Sequence, residues 1–373
     1  MIFAICRYII FLYELDAQIP IWRTPSIEAV GANAHIGPRG DVPQSPPTVK
    51  FEAERSIGIC RNEGLKGSAS MFEGIPAAES FSKVKEIEKG LSGDRKYYIE
   101  TTDGQKLLLR MSEASEYAAK RKVYDVLLNL NGANLPVPKA LDFGMCESGN
   151  AVYTLLEWIE GSEAEDVVPN MPLEKQYAMG IKSGQILRGI HDSSVQKDGP
   201  KDWYDKYYEV IEPRIDAYKA RGPRFDGAED ILAFIEENRH LLRGRGQSNI
   251  HGDYHLANLI INDNEEVFVI DWQPVDFEGV GDPWVDFINI GIDHPSFAAG
   301  QIDGYFAHQV PEDFWRMLAL YLSTSAITSI LWAKRFAPER LDGIMELNQN
   351  ILAWYDRMHD VIPFWYREYK GGL

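Results

Sequence analysis

The sequence predicts an α+β chain of two lobes, a small β-rich one followed by a larger α-helical one. Three observations predict it. Between Phe72 and Trp158, short β-prone runs are separated by glycine- and proline-containing turns. Beyond Gly161, apolar side chains recur at three- and four-residue intervals over long stretches. Only the segment from Ile250 to Asp271 interrupts that helical pattern with short extended runs.

Taken in order, residues 1–70 stand apart. They carry seven Lys/Arg and seven Asp/Glu, a net charge of zero, so the whole −18 of the 373-residue chain belongs to residues 71–373. Six prolines and three glycines between Ile19 and Pro47 break any periodic pattern, so 1–70 is expected to be a poorly ordered extension, with Met71 a candidate natural start. The apolar run from Met1 to Leu15 contains Arg7 and is too short to span hydrocarbon. It also lacks the basic start and small-residue cleavage site of a signal peptide, and no other stretch reads as membrane-length.

Residues 71–160 read as the small lobe. Val84–Ile87 alternates, Gly90-Leu-Ser-Gly-Asp94 turns, and Tyr97–Ile99 resumes an extended pattern. Asp103-Gly104 is a tight-turn dipeptide before a third strand, Leu107–Arg110. A helix is expected over Ser115–Asn131, with Tyr117, Tyr124, Leu127 and Leu128 on its buried stripe and Lys120-Arg121-Lys122 on a solvated face. Strands near Ala140–Met145 and Val152–Trp158 complete a five-stranded sheet, and Gly161 marks a hinge. In the large lobe, 161–373, helices are expected at Leu173–His191, Trp203–Ala220, Ala228–Leu242, Phe314–Trp332 and Arg340–Met358. Trp332, Trp354 and Trp365 read as core residues.

Composition narrows the function. The acidic balance disfavours nucleic acid as a partner and suits a cationic or neutral small molecule. Cys6, Cys60 and Cys146 form no closely spaced pair, so neither a disulfide framework nor a thiolate metal site is indicated, and a reducing cytoplasm is expected.

The chemistry sits at the interruption. In His251-Gly252-Asp253-Tyr-His-Leu-Ala-Asn258 an acid precedes an amide by five positions, and a hairpin then delivers Asp271 thirteen positions later. This is the spacing of a phosphoryl-transfer loop, in which the first acid accepts the proton of the attacking alcohol while the amide and the second acid hold magnesium on the nucleotide phosphates. Hard oxygen ligands suit that cation. Asp142-Phe143-Gly144 spells a kinase metal motif but precedes the loop, where it reads as strand and turn. His251, Asp253 and His255 could also suggest a zinc hydrolase, but further ligands at suitable spacing are missing from the sequence.

HGDYHLANLII, then VIDW, then Gly281-Asp282-Pro283-Trp-Val-Asp286 resembles the aminoglycoside phosphotransferase family, with all three motifs in order from about Ile75 to Trp365. The resemblance implies a bilobal protein-kinase-like fold, ATP and Mg²⁺ as cofactors, and transfer of the γ-phosphate to a hydroxyl of a small molecule. An aminoglycoside-like antibiotic or a related metabolite would be the acceptor. It makes Asp253 the catalytic aspartate and Asn258 and Asp271 the metal ligands, while His251, Asp282 and Asp286 read as architectural, the histidine fixing the loop by hydrogen bonds and the two acids capping a turn and a helix start. The small lobe departs from the protein-kinase pattern, since the third strand ends in Arg110 where a lysine would contact the phosphates. Arg can do this bidentately, and its acidic helix partner is expected to be Glu116, the only early glutamate. Val123 stands one turn deeper, where an acid would be expected. The backbone around Ser92 and Gly93 would cover the phosphates, and the hinge Glu157-Trp158-Ile159 would take adenine. Carboxylates such as Asp276, Glu278 and Asp286 would attract a cationic acceptor, with specificity set by residues 195–230 and the C-terminal helices in a monomer or homodimer. A nucleotide-binding pseudokinase is the alternative, disfavoured by the intact Asp253, Asn258 and Asp271.

Overall fold

The computed structural model describes residues 71–88, 93–193, 201–273, 276–290 and 294–371. The expected extension 1–70 and Ser92 lie outside the described residues, as do the side chains of Asp276 and Glu278.

Strands β1 (Phe81–Glu86), β2 (Arg95–Thr101) and β3 (Lys106–Glu113) precede helix α1 (Tyr117–Gly132), and β4 (Ala140–Cys146) and β5 (Ala151–Glu157) follow it. The strands form one antiparallel sheet in the order β1-β2-β3-β5-β4. Alternation decides its faces: Tyr97, Ile99 and Thr101 of β2 are buried while Lys96, Tyr98 and Glu100 between them are only half-buried. One face closes over Phe72, Phe81, Ile99, Leu109 and Met111 as a small separate core. The other carries α1, whose Leu127 and Leu130 join the core of the large lobe. The stripe of α1 differs from expectation. Tyr117 and Leu128 are exposed, at 40% and 43%, whereas Lys120 is only 7% exposed and turned inward. A Lys-Arg-Lys run on a helix spreads over a wide arc, so its members need not share one environment.

The hinge leads to β6 (Ser162–Glu163) and α2 (Ala164–Val167), then to α3 (Leu173–Asp192), α4 (Trp203–Arg221) and α5 (Ala228–Asn238). Short strands follow: β7 (Ser248–Asn249), β8 (Leu259–Ile261), β9 (Val267–Val269) and β10 (Val280–Gly281). They form a three-stranded sheet, β6-β8-β9, and a β7–β10 pair. The last helices are α6 (Pro295–Tyr305), α7 (Glu312–Phe336), α8 (Leu341–Trp354) and α9 (Phe364–Gly371). Trp332, Trp354 and Trp365 are buried among them.

Two features correct the sequence reading. Helix α7 is long and apolar enough to cross a membrane, but 83% of its apolar window is buried, which makes it the central core helix of the lobe. Helix α6 has no counterpart among the expected helices. Every residue from Ser296 to Tyr305 is buried, so no polar face marks its period. It lies against α3 at backbone distance. A Cβ at Gly184 would stand 2.0 Å from the Gln301 carbonyl oxygen, and one at Gly304 2.2 Å from that of Ile181.

Candidate active site

The loop 251–258 leaves β7 and enters β8, and a buried acid fixes its start. Gly252 adopts a left-handed conformation, φ +78°, which reverses the chain so that two successive amides point the same way. His251 N and Gly252 N donate to the two oxygens of Asp286, at 2.8 and 2.6 Å. His191 Nε2, at the end of α3, donates to the same carboxylate at 3.0 Å, and Tyr305 of α6 is 2.9 Å from His191 Nδ1. Asp286 is therefore a backbone anchor and not the cap expected. Asp282 does cap, accepting from Trp284 N at 3.0 Å, and it also takes Arg245 through two bonds and Tyr321 Oη at 2.8 Å. The sequence gives no local sign of His191, Arg245 or Tyr321, because each comes from a distant helix or loop.

Inside the loop the hydrogen bonds specify tautomers. Asp253 N donates to His251 Nδ1 at 3.3 Å, so Nε2 carries the proton and donates to the Ile270 carbonyl at 3.0 Å. Ala257 N likewise donates to His255 Nδ1, which leaves His255 Nε2–H facing Asp253 Oδ1 at 3.2 Å. Asn258 Nδ2 donates to the Asp253 carbonyl at 2.8 Å and to Asp253 Oδ2 at 3.0 Å. Both donors of the amide nitrogen are thereby engaged, and its oxygen turns away from Asp253.

The hairpin closes the site. Leu259 pairs with Val269, and Ile270 N donates to the Asn258 carbonyl at 2.9 Å, so Asn258 lies opposite Ile270, the residue before Asp271. Asp271 itself is left-handed, φ 62°, a conformation Asp tolerates better than most residues and one that recurs at functional sites. Its Oδ1 accepts from Arg110 Nη1 at 2.9 Å and from Gln273 Nε2 at 3.2 Å. Burial favours the neutral acid, but Arg110, with Lys96 adding to it, holds the Asp271 carboxyl well below the usual carboxylate range. An ionised carboxylate from Asp271 and an amide oxygen from Asn258 are the kinds of ligand that a hard divalent cation takes.

Across the cleft, Arg110 of β3 lies over Asp271, but its ion partner is not Glu116. Arg110 Nε donates to Asp94 Oδ2 at 3.0 Å, and Lys120 Nζ and Ser112 Oγ also donate to Asp94. Glu116 sits 3.5 Å from Lys120 instead, one helical turn away. Gly93 is exposed, with open space where a Cβ would point. At the hinge, Glu157 N is bonded to the Lys139 carbonyl and Trp158 N to that of Lys106, while Ile159 N makes no hydrogen bond among the described residues. Asp142, in β4, accepts from Tyr153 Oη at 2.7 Å and plays no part in the cleft.

Residues 83–318 match the sequence profile described as the Phosphotransferase enzyme family. The chain belongs to this family. As a member, it is a small-molecule phosphotransferase with a hydroxyl group as acceptor. No curated protein sequence is matched significantly by this phosphotransferase. Its fold is that of several solved structures. A thermostable mutant of aminoglycoside phosphotransferase APH(4)-Ia, in apo form, is 17% identical, over 74% of this chain and 95% of that one, at a TM-score of 0.54. Amicoumacin kinase hAmiN in complex with AMP-PNP, Ca²⁺ and Ami is 14% identical, over 82% and 96%, at 0.53. A GDP complex of an aminoglycoside 2'-phosphotransferase-IIIa variant is 15% identical, over 78% and 96%, at 0.55. The phosphotransferase shares with them a sheet-rich first lobe and a helical second one.

Proposed function

We propose that this phosphotransferase transfers the γ-phosphate of ATP, with Mg²⁺, to a hydroxyl of a small cationic or neutral molecule such as an aminoglycoside-like antibiotic or a related metabolite. The observation that carries the reading is the hairpin bond from Ile270 N to the Asn258 carbonyl, which sets Asn258 opposite the residue before Asp271, while Asn258 Nδ2 also orients the Asp253 carboxylate. Asn258 and Asp271 would hold Mg²⁺, which when bound neutralises charge on the nucleotide phosphates. Asp253 orients the acceptor hydroxyl and takes its proton late, on a carboxylate oxygen already steered by Asn258 and His255. Arg110 supplies positive charge opposite Asp271, bidentate in character where a lysine would act as a point charge. The open amide of Ile159 supports adenine binding at the hinge.

Asp253→Asn tests the reading. Turnover measured as ADP release with an acceptor found by screening aminoglycosides, macrolides, choline and sugars should fall about 10²–10⁴-fold, the usual worth of a general base. ADP affinity should stay unchanged. Unaltered turnover would remove Asp253 from the chemistry.

A further inference from the structure

Lys120 is a lysine where lysines are seldom found, 7% exposed and reaching out of helix α1 into the cleft. Its ammonium donates to both oxygens of Asp94, at 2.8 and 2.9 Å, and to Gln273 Oε1 at 3.0 Å. Gln273 in turn donates to Asp271, and Asp271 accepts from Arg110, which is also bound to Asp94. The result is a closed ring: Asp94, Arg110, Asp271, Gln273 and Lys120. Two cations of the small lobe, fixed by one buried carboxylate, thus face two residues of the large lobe that stand only two positions apart.

The charges in the ring are two positive and two negative. If Asp271 turns its charge to a divalent cation, Arg110 and Lys120 keep only Asp94 fully between them, because Glu116 is 3.5 Å from Lys120 and its side chain is 36% exposed. A surplus positive charge then faces the cleft. Arg110 also has donor capacity to spare: its Nη2 is buried, lies 2.9 Å from Asp94 Oδ2, and makes no hydrogen bond at that contact. A buried donor without a hydrogen bond is a group that an incoming anion would satisfy.

We propose that Lys120 is a second phosphate-binding cation of the nucleotide site, held in place by Asp94, so that the polyphosphate meets two basic side chains where the sequence pattern offers one. The proposal rests on the nucleotide reading given above. Asp94 is the positioning residue. It does for Arg110 what an acid on helix α1 was expected to do, and this leaves α1 free to present a cation.

The test compares ADP with adenosine, each titrated calorimetrically with the full-length chain in Mg²⁺. In Lys120→Met, ADP affinity should fall about 10- to 100-fold, the worth of one hydrogen bond to a charged group, while adenosine affinity stays as in the wild type. Lys120→Arg should recover most of the ADP affinity. Should Lys120→Met fail to fold by thermal melting, Lys120→Gln keeps a polar neighbour for Asp94 and carries the same comparison. ADP affinity within about twofold of wild type, or an equal loss for adenosine and ADP, would overturn the assignment. If the wild type binds neither ligand, the nucleotide reading itself falls and this inference with it.

Discussion

The two sides of the cleft are held by different physics. On the large-lobe side, Asp286 ties down the loop 251–258 through two backbone amides and a buried histidine, all within that lobe. On the small-lobe side, Asp94 organises side-chain charges that cross from one lobe to the other. Amide-to-carboxylate bonds have no alternative partner once buried, so they fix geometry permanently. Ion pairs at a lobe junction can be exchanged for a ligand's charges. The comparison teaches that the loop is pre-organised and the charge network around Asp94 is exchangeable.

The sharpest way to break this view is Asp286→Ala. It orphans three donors, at about 1–3 kcal/mol each, and should lower stability by several kcal/mol in urea denaturation. A loss under about 1 kcal/mol would mean that water or a neighbour replaces the anchor and that the loop is not rigidly held. A smaller effect is expected one layer out. Gly184→Ala would push a methyl group against the Gln301 carbonyl and separate α3, which carries His191, from α6. Overpacking of this kind costs about 1–3 kcal/mol, and turnover should fall with it as His191 shifts. Wild-type melting and turnover in this variant would show that the helices can slide without disturbing the loop.

The smallest effect concerns pH. Burial works against the charged form of Asp94, yet Arg110 and Lys120 keep its carboxyl below the usual range. A carboxyl lowered in the folded state contributes stability that is present above its unfolded pKa, about 3.9, and is lost as pH falls through the folded value. Asp94→Asn should therefore be less stable than wild type at neutral pH, with the gap narrowing as pH drops below about 4. A gap that is constant from pH 6 to pH 3 in urea titrations would mean the charge of Asp94 contributes nothing to the network.

Much of the loop was legible because its residues are contiguous. Asp253, Asn258 and Asp271 lie within twenty residues, and the turn between β8 and β9 brings the chain at Ile270 back to Asn258. What escaped was either non-local or without period. His191 reaches Asp286 across 95 positions, and Arg245 reaches Asp282 across 37, so no window of sequence joins them. Lys120 was misread because a run of three basic residues suggests a solvated face, and its true surroundings depend on Asp94, which lies in a turn with nothing to mark it as an ion partner. Helix α6 escaped for the opposite reason to most: burial on all sides erases the polar stripe that makes a helix visible.

The contact between α3 and α6 has a consequence for how this catalyst could be re-specialised. With main chain resting on main chain, neither helix can be thickened, rotated or tilted by ordinary side-chain exchange, and both end beside the histidine–tyrosine–aspartate support of the catalytic loop. Sequence change must therefore be accommodated elsewhere in the lobe, leaving one rigid spine behind the loop 251–258.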